Sequence, residues 1–191
     1  MSKGITFTEE MFNAVIEGRK TQTRRIMKQQ PSTMKNLRTG EEWICKSDMG
    51  NANIKPRYKV GERVYLKEPY HLYQNNGCTG VMYKHGTGCT DDGDYIWKNK
   101  LFMPEKYARH FIEITDVRAE RLCDISDQDC FKEGISARFV EVLNWWQYGL
   151  MGNEIHGTPQ EAYAALIDKI YGKGTWAKNP FVFVYTFKLI K

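Results

Sequence analysis

Apolar residues recur with a period of two in some stretches of the chain and with a helical period in others, and the two rhythms divide it into elements. Ile5-Thr6-Phe7 alternates, and Thr8 follows as an N-cap for a helix over residues 9–17. That helix has Glu9 and Glu10 in its first turn and an apolar stripe of Phe12, Val15 and Ile16, and Gly18 stands where a left-handed C-terminal residue is expected. Residues 60–68 hold a turn at Gly61 and an alternating strand with Val64 and Leu66 on one face, ended by Pro69. Residues 74–93 are rich in turn formers around Val81-Met82-Tyr83 and predict a hairpin, which Tyr95-Ile96-Trp97 continues. Residues 108–122 alternate throughout and predict a long, bent strand. Ser126-Asp127-Gln128-Asp129 has the form of a capping box, for a short helix over 127–133 that stops at Gly134. Two helical patterns follow: residues 138–148, with Phe139, Val142, Leu143, Trp145 and Trp146, and residues 159–171, with Pro159 in the first turn and Ala162, Leu166, Ile167 and Ile170 on one side. Residues 181–187 close the chain as an apolar strand.

Short strands interleaved with helices, in no regular βαβ order, predict an α+β domain built on a small, strongly curved sheet or barrel with flanking helices. The 191 residues suit a single domain with a substantial core. Three segments read as insertions: 31–60, a long connection anchored only at Trp43-Ile44-Cys45, then 75–100, and a helical insertion over 136–174. The tryptophans and tyrosines of the last segment suit packing better than base stacking.

Composition narrows the setting. The five cysteines form an odd set with no Cys-x-x-Cys pair, which argues against a disulfide framework and a zinc ribbon, and predicts a reduced, cytoplasmic protein. No N-terminal apolar leader and no membrane-spanning stretch is visible. The four histidines, His71, His85, His110 and His156, lack metal-ligand spacing, so neither a metal nor another cofactor is expected.

Charge is where the chain departs from the ordinary. Between Gly18 and Gly40 lie seven of the 28 basic residues and no acid, so 21 basic residues remain elsewhere against 23 acidic ones. A net charge of +5 is thus carried by one window, the footprint expected for a phosphate or another anion. Its centre is Gly18-Arg19-Lys20-Thr21-Gln22-Thr23-Arg24-Arg25, which begins where the first helix stops. On a plain strand Lys20 and Thr23 would point to opposite faces, so joint action requires the backbone to turn between them.

The same motif, with the block from Gly61 to Lys67, the Glu113-Ile114-Thr115 strand leading to a short helix, and the closing aromatic strand, resembles the ASCH domain, a PUA-like β-barrel. Trp97, Met103-Pro104, Glu120-Arg121-Leu122 and Asn179-Pro180 are similar to features of the longer members found in phages and prophages. The resemblance implies a cleft that binds RNA or a modified nucleoside. It also implies, by analogy with the small bacterial N(4)-acetylcytidine amidohydrolase of the family, a catalytic set on Lys20, Thr23 and Glu133; nucleic-acid or ligand contacts are expected from Arg19, Thr21, Arg24, Arg25, Lys67 and Glu68, with the three arginines on phosphates. Where the family often has Gly-Asp and an Arg-Glu pair, this chain has Gly61-Glu62 and Lys67-Glu68, and Lys67 lacks the bidentate fork of an arginine.

Amide hydrolysis on cytosine needs a nucleophile, a base, an oxyanion stabiliser and an acid for the leaving nitrogen. Thr23 supplies the nucleophilic hydroxyl or positions a water, Lys20 serves as the base and Glu133 as the acid. Neighbouring arginines push the Lys20 pKa down and the end of the preceding helix pushes it up, and the sequence leaves that balance open. A Lys20–Glu133 pair that stays charged would be a structural ion pair instead. Two other readings remain: a non-catalytic RNA-binding module, whose affinity falls steeply with salt, and a phage accessory protein acting through protein contacts.

Overall fold

The computed structural model describes residues 3–31, 33–36, 43–47, 50–75, 78–85, 95–141, 144–150 and 155–190. Its centre is a mixed five-stranded sheet in the order β1 (Lys3–Thr6), β6 (Arg63–Lys67), β9 (Phe111–Arg121), β12 (Phe181–Ile190) and β2 (Gln22–Ile26). β1 and β6 run parallel, and the other three pairings are antiparallel. The α+β class is as expected. Among the described residues the sheet does not close on itself, and β1 and β2 stand as its two edges.

β12 is the strand around which the rest packs. Val182, Phe183, Val184 and Tyr185 are all buried, so both faces of the strand are covered, as a near-continuous apolar run requires. The long, bent strand predicted over 108–122 is β9, and its ladder with β12 shifts register between Thr186 and Phe187, where a bulge bends the pair. Val64 and Leu66 of β6 and Ile112 and Ile114 of β9 supply the same core.

The helices begin and end on the predicted signals. α1 (Glu9–Ile16) is capped by Thr8, whose hydroxyl accepts from the Met11 N–H, and Gly18 follows at φ +76°. α2 (Asp127–Lys132) is capped by Ser126, with Glu133 as its C-cap and Gly134 at φ +102°. α3 (Pro159–Tyr171) is capped by Thr158 and buries Ala162, Tyr163, Leu166 and Ile167. A single turn, α4 (Thr175–Lys178), leads into β12.

Two expectations are corrected. The described residues of 138–148 are not helical: β10 (Ser136–Val140) and β11 (Trp145–Gly149) pair as an antiparallel hairpin, with Asn144 in the left-handed region at φ 51°, and Val142 and Leu143 lie outside the described residues. Phe139, Trp145 and Trp146 are exposed on it, so the helical insertion over 136–174 is a hairpin followed by α3. Within 31–60, β3 (Thr33–Asn36), β4 (Trp43–Ser47) and β5 (Gly50–Asn53) form a separate antiparallel meander where a mostly irregular connection was expected. The hairpin expected within 74–93 is β7 (Tyr70–Asn75) with β8 (Cys78–Tyr83), and residues 76–77 and 86–93 of that stretch lie outside the described residues. Tyr95-Ile96-Trp97 does not extend it; only Lys98 bridges to Tyr70.

Candidate functional site

Two cavities lie at the gap between the sheet edges. The smaller, about 200 Å³, is lined by Lys20, Thr23, Arg24, Arg25 and Glu133, together with apolar residues of α1 and α3. The larger, about 540 Å³, opens between β1 and β2 and is backed by Phe183 and Tyr185 of β12. Thr6 and Arg25 line both, and the Arg25 guanidinium donates to the Thr6 carbonyl at 2.7 Å, spanning the two edges.

The turn that the parity of Lys20 and Thr23 demands lies before β2. The Lys20 N–H donates to the Ala14 carbonyl, the Thr21 N–H to the Lys132 carbonyl, and regular strand begins only at Gln22. Lys20 is thereby carried to the end of α2, where its Nζ donates to Glu133 Oε2 at 2.6 Å and to the Glu133 carbonyl at 2.7 Å. Both side chains are 3% exposed, so the pair is fully desolvated. Thr23 stands on β2 in register with Tyr185 and lines the small cavity. Its hydroxyl makes no hydrogen bond to any described residue. The structure therefore brings Lys20, Thr23 and Glu133 to one cavity, with Lys20 and Glu133 in contact.

Burial is the first influence on Lys20 and holds its amine below the ordinary lysine value; the Glu133 charge and hydrogen bond oppose this, and Arg25 and Arg24 add to it. Arg19 takes no part, since it lies partly exposed against Glu17.

Arg24 is the hub of the buried network. Its Nε and Nη2 donate to Glu120 Oε1 at 2.8 and 2.6 Å, Nη2 also to Asp129 Oδ2 at 2.9 Å, and Nη1 to Gln22 Oε1 and Glu133 Oε1 at 2.7 and 3.0 Å. These bonds occupy all of the guanidinium donors. Arg118 and Lys132 close the rim by pairing with Asp129. Arg24, expected to hold a phosphate, is thus occupied by this chain's own carboxylates.

The remaining candidates lie apart from this network. Thr21 contributes its backbone to the turn. Glu68 is fully buried, and its carboxylate receives a two-pronged contact from Arg109 at 2.8 and 2.7 Å, the side chain that motif reasoning missed. Lys67 lines the large cavity and donates to the Leu101 carbonyl at 2.7 Å. Its stem lies against β1 because residue 4 is glycine: a Cβ there would stand 2.3 Å from Lys67 Cε and 2.6 Å from the Tyr65 ring. Also missed were Arg57, Tyr58 and Tyr185, which line the same cavity and are tied together. The Arg57 N–H donates to the Tyr185 hydroxyl at 2.9 Å, the Tyr58 hydroxyl donates to the Gly4 carbonyl at 3.0 Å, and the two rings meet edge to face at 5.2 Å.

Cys78, Cys123 and Cys130 are free thiols, and burial pushes the Cys130 thiol up to about 12. Among the described residues no helix is long and apolar enough to cross a membrane. In comparisons with known proteins, no family model, no curated protein and no solved structure matches this chain.

Proposed function

We propose that the protein is a cytoplasmic ASCH-type domain, its sheet a PUA-like barrel left open between β1 and β2, that takes a modified nucleoside or an RNA nucleotide into this opening and hydrolyses an N(4)-acyl amide on cytosine. The observation that carries the reading is the contact between Lys20 Nζ and Glu133 Oε2 at 2.6 Å, in a cavity that Thr23 also lines. At that distance the ammonium can hand its proton to the carboxylate, leaving an amine to act as base beside a carboxyl to act as acid. The amine takes the proton of the Thr23 hydroxyl, or of a water beside it, as oxygen attacks the acyl carbon. The carboxyl then protonates the departing exocyclic nitrogen as the C–N bond breaks; where the Thr23 oxygen is the attacking group, a water, giving its proton to the same pair, cleaves the acyl-threonine ester, which restores the hydroxyl and releases the acid. Free of hydrogen bonds to described residues, the Thr23 hydroxyl can turn toward an incoming acyl group.

Release of cytidine from N(4)-acetylcytidine tests this directly. Thr23→Val is the sharpest variant, because it removes a hydroxyl with no structural bond; kcat/KM should fall by about 10²-fold or more, as in Lys20→Ala and Glu133→Ala. The rate should fall as pH rises through the Lys20 titration, which burial holds below the ordinary lysine value, because the productive state needs the one proton that Lys20 and Glu133 share. Folded wild-type protein that releases no cytidine sinks the catalytic part of the reading.

One observation favours a binding-only alternative. Lys20 donates to both the side chain and the backbone of Glu133, the geometry of an ammonium locked as a clamp between β2 and α2. Under that reading Lys20→Ala lowers stability and leaves no turnover to lose.

A further inference from the structure

The larger cavity has the opposite electrostatic character to the smaller. Arg25, Lys28, Lys55, Arg57 and Lys67 line it, and no carboxylate does so among the described residues. Arg24, Arg109 and Arg118 each meet a carboxylate elsewhere in the fold, whereas Arg57 makes no ion pair with any described residue and rests its guanidinium 5.5 Å from the Tyr58 ring. Lys67 spends one of its donors on the Leu101 carbonyl and keeps the others. Burial first, and then the charge of Arg57, hold the Lys67 amine below its ordinary value, so the two cations feel one another across the cavity. Like charges held together without a counter-charge are stabilised by an anion between them.

The walls add a second requirement. Tyr58, Phe183 and Tyr185 back the cavity as a buried apolar floor, and both tyrosines are fixed through hydroxyl hydrogen bonds to the backbone. That floor is preformed and apolar, so it suits the base of a nucleotide better than its phosphate. At about 540 Å³ the cavity falls within the range of roughly 300–1,000 Å³ typical of sites for one small molecule, while the 200 Å³ cavity falls below it.

We propose that the larger cavity is a nucleotide site, with Arg57 and Lys67 holding a phosphate monoester and the tyrosine wall facing the base. The phosphate stands on this cavity alone. The identity of the base as cytosine rests on the function proposed above, with Arg25, which with Thr6 lines both cavities, as the side chain between the bound nucleotide and Lys20. A phosphate monoester can come from a free nucleotide or from the 5′ end of an RNA.

Calorimetric titration with cytidine 5′-monophosphate, with cytidine, and with a 5′-phosphorylated dinucleotide tests the proposal. The monophosphate should bind at least about tenfold more tightly than cytidine, and the preference should shrink as salt is raised. In the double variant Arg57→Ala/Lys67→Gln the monophosphate should fall to the affinity of cytidine, with the thermal unfolding midpoint little changed, because the two side chains together make one backbone hydrogen bond and two ring contacts. Equal affinities for the two ligands, absence of monophosphate binding, or a preference that survives in the folded double variant overturns the proposal. Dinucleotide binding as tight as the monophosphate assigns an RNA end as the source, and its exclusion assigns a free nucleotide; either outcome supports the phosphate site. Tight monophosphate binding without release of cytidine from its N(4)-acetyl derivative supports this site and rejects the amidohydrolase reading, and turnover without phosphate preference does the reverse.

Discussion

The two cavities at the open edge of the sheet differ in how they handle charge. Around the smaller, Lys20 and Arg24 are met by Glu133, Glu120 and Asp129, and the buried cations are neutralised from within the chain. Around the larger, Arg57 and Lys67 have backbone and ring contacts but no carboxylate among the described residues. A basic stretch in a sequence is therefore not the same thing as a basic site. Arg24 belongs to the motif with the densest positive charge and serves the fold, whereas Arg57 lies outside it and faces an open cavity.

The largest way to break this contrast is Arg24→Met. The substitution removes the shared partner of three carboxylates, of which Glu133 keeps Lys20 while Glu120 and Asp129 keep Arg118. Removing one member of a buried ionic network leaves charges uncompensated, and urea denaturation should show a loss of about 3–5 kcal/mol. A loss under about 1 kcal/mol would place Arg24 with the ordinary surface cations and erase the distinction between the cavities.

Gly4→Ala should produce the next largest effect, and it bears on the other cavity. The added methyl meets the mobile end of Lys67 and the edge of the buried Tyr65 ring at 2.6 and 2.8 Å, and the ring cannot withdraw cheaply. Overpacking of this kind costs about 1–3 kcal/mol by denaturation. Because Lys67 must also leave its place, affinity for an anionic ligand should fall while the Lys20–Glu133 contact stays intact. If stability falls and anion affinity holds, Lys67 is not part of the larger site.

Local signals announced the helices well and the sheet partners hardly at all. Thr8, Ser126 and Thr158 cap their helices through side-chain hydrogen bonds, and Gly18 and Gly134 take the left-handed backbone that ends two of them. These devices act within a few residues and can be read from the chain. Residues 138–148 were misleading because Phe139, Leu143 and Trp146 fall near a helical spacing, while Asn144, the turn residue of the hairpin, was the opposing signal. In β3 and β5 the strands carry Thr, Lys, Asn and Gly with little apolar alternation, so their pairing with β4 was not visible. The approach of Lys20 to Glu133 spans 113 residues, and the resemblance supplied it where local pattern could not. Arg57 and Tyr58 had no such motif. Their role comes from β1 and β12 being brought beside them, and the one local hint is Gly4, a glycine inside a strand that marks close approach.

The smallest expected effect concerns the rim of the neutralised network, and it fixes where internal pairing gives way to solvent. Burial alone would raise the Asp129 carboxyl; hydrogen bonds from Arg24 and Lys132 and the charge of Arg118 outweigh it and hold the group below the usual carboxylate range. Folding thus lowers this pKa from an unfolded value of about 3.9. Its contribution to stability is complete above that value and is lost as pH falls through the lower, folded-state value. Solvent reaches Arg118 and Lys132, which screens the pairs and keeps the effect well below that of Arg24→Met. Asp129→Asn should therefore be less stable than wild type at pH 6, and the gap should close as urea titrations are carried below pH 3.9. A gap that is the same at both ends of that range would mean that the charge of Asp129 contributes nothing and that its hydrogen bonds alone hold the rim. The buried network would then end at Glu120 and Glu133, and Asp129 would be a capped helix residue that happens to face Arg24.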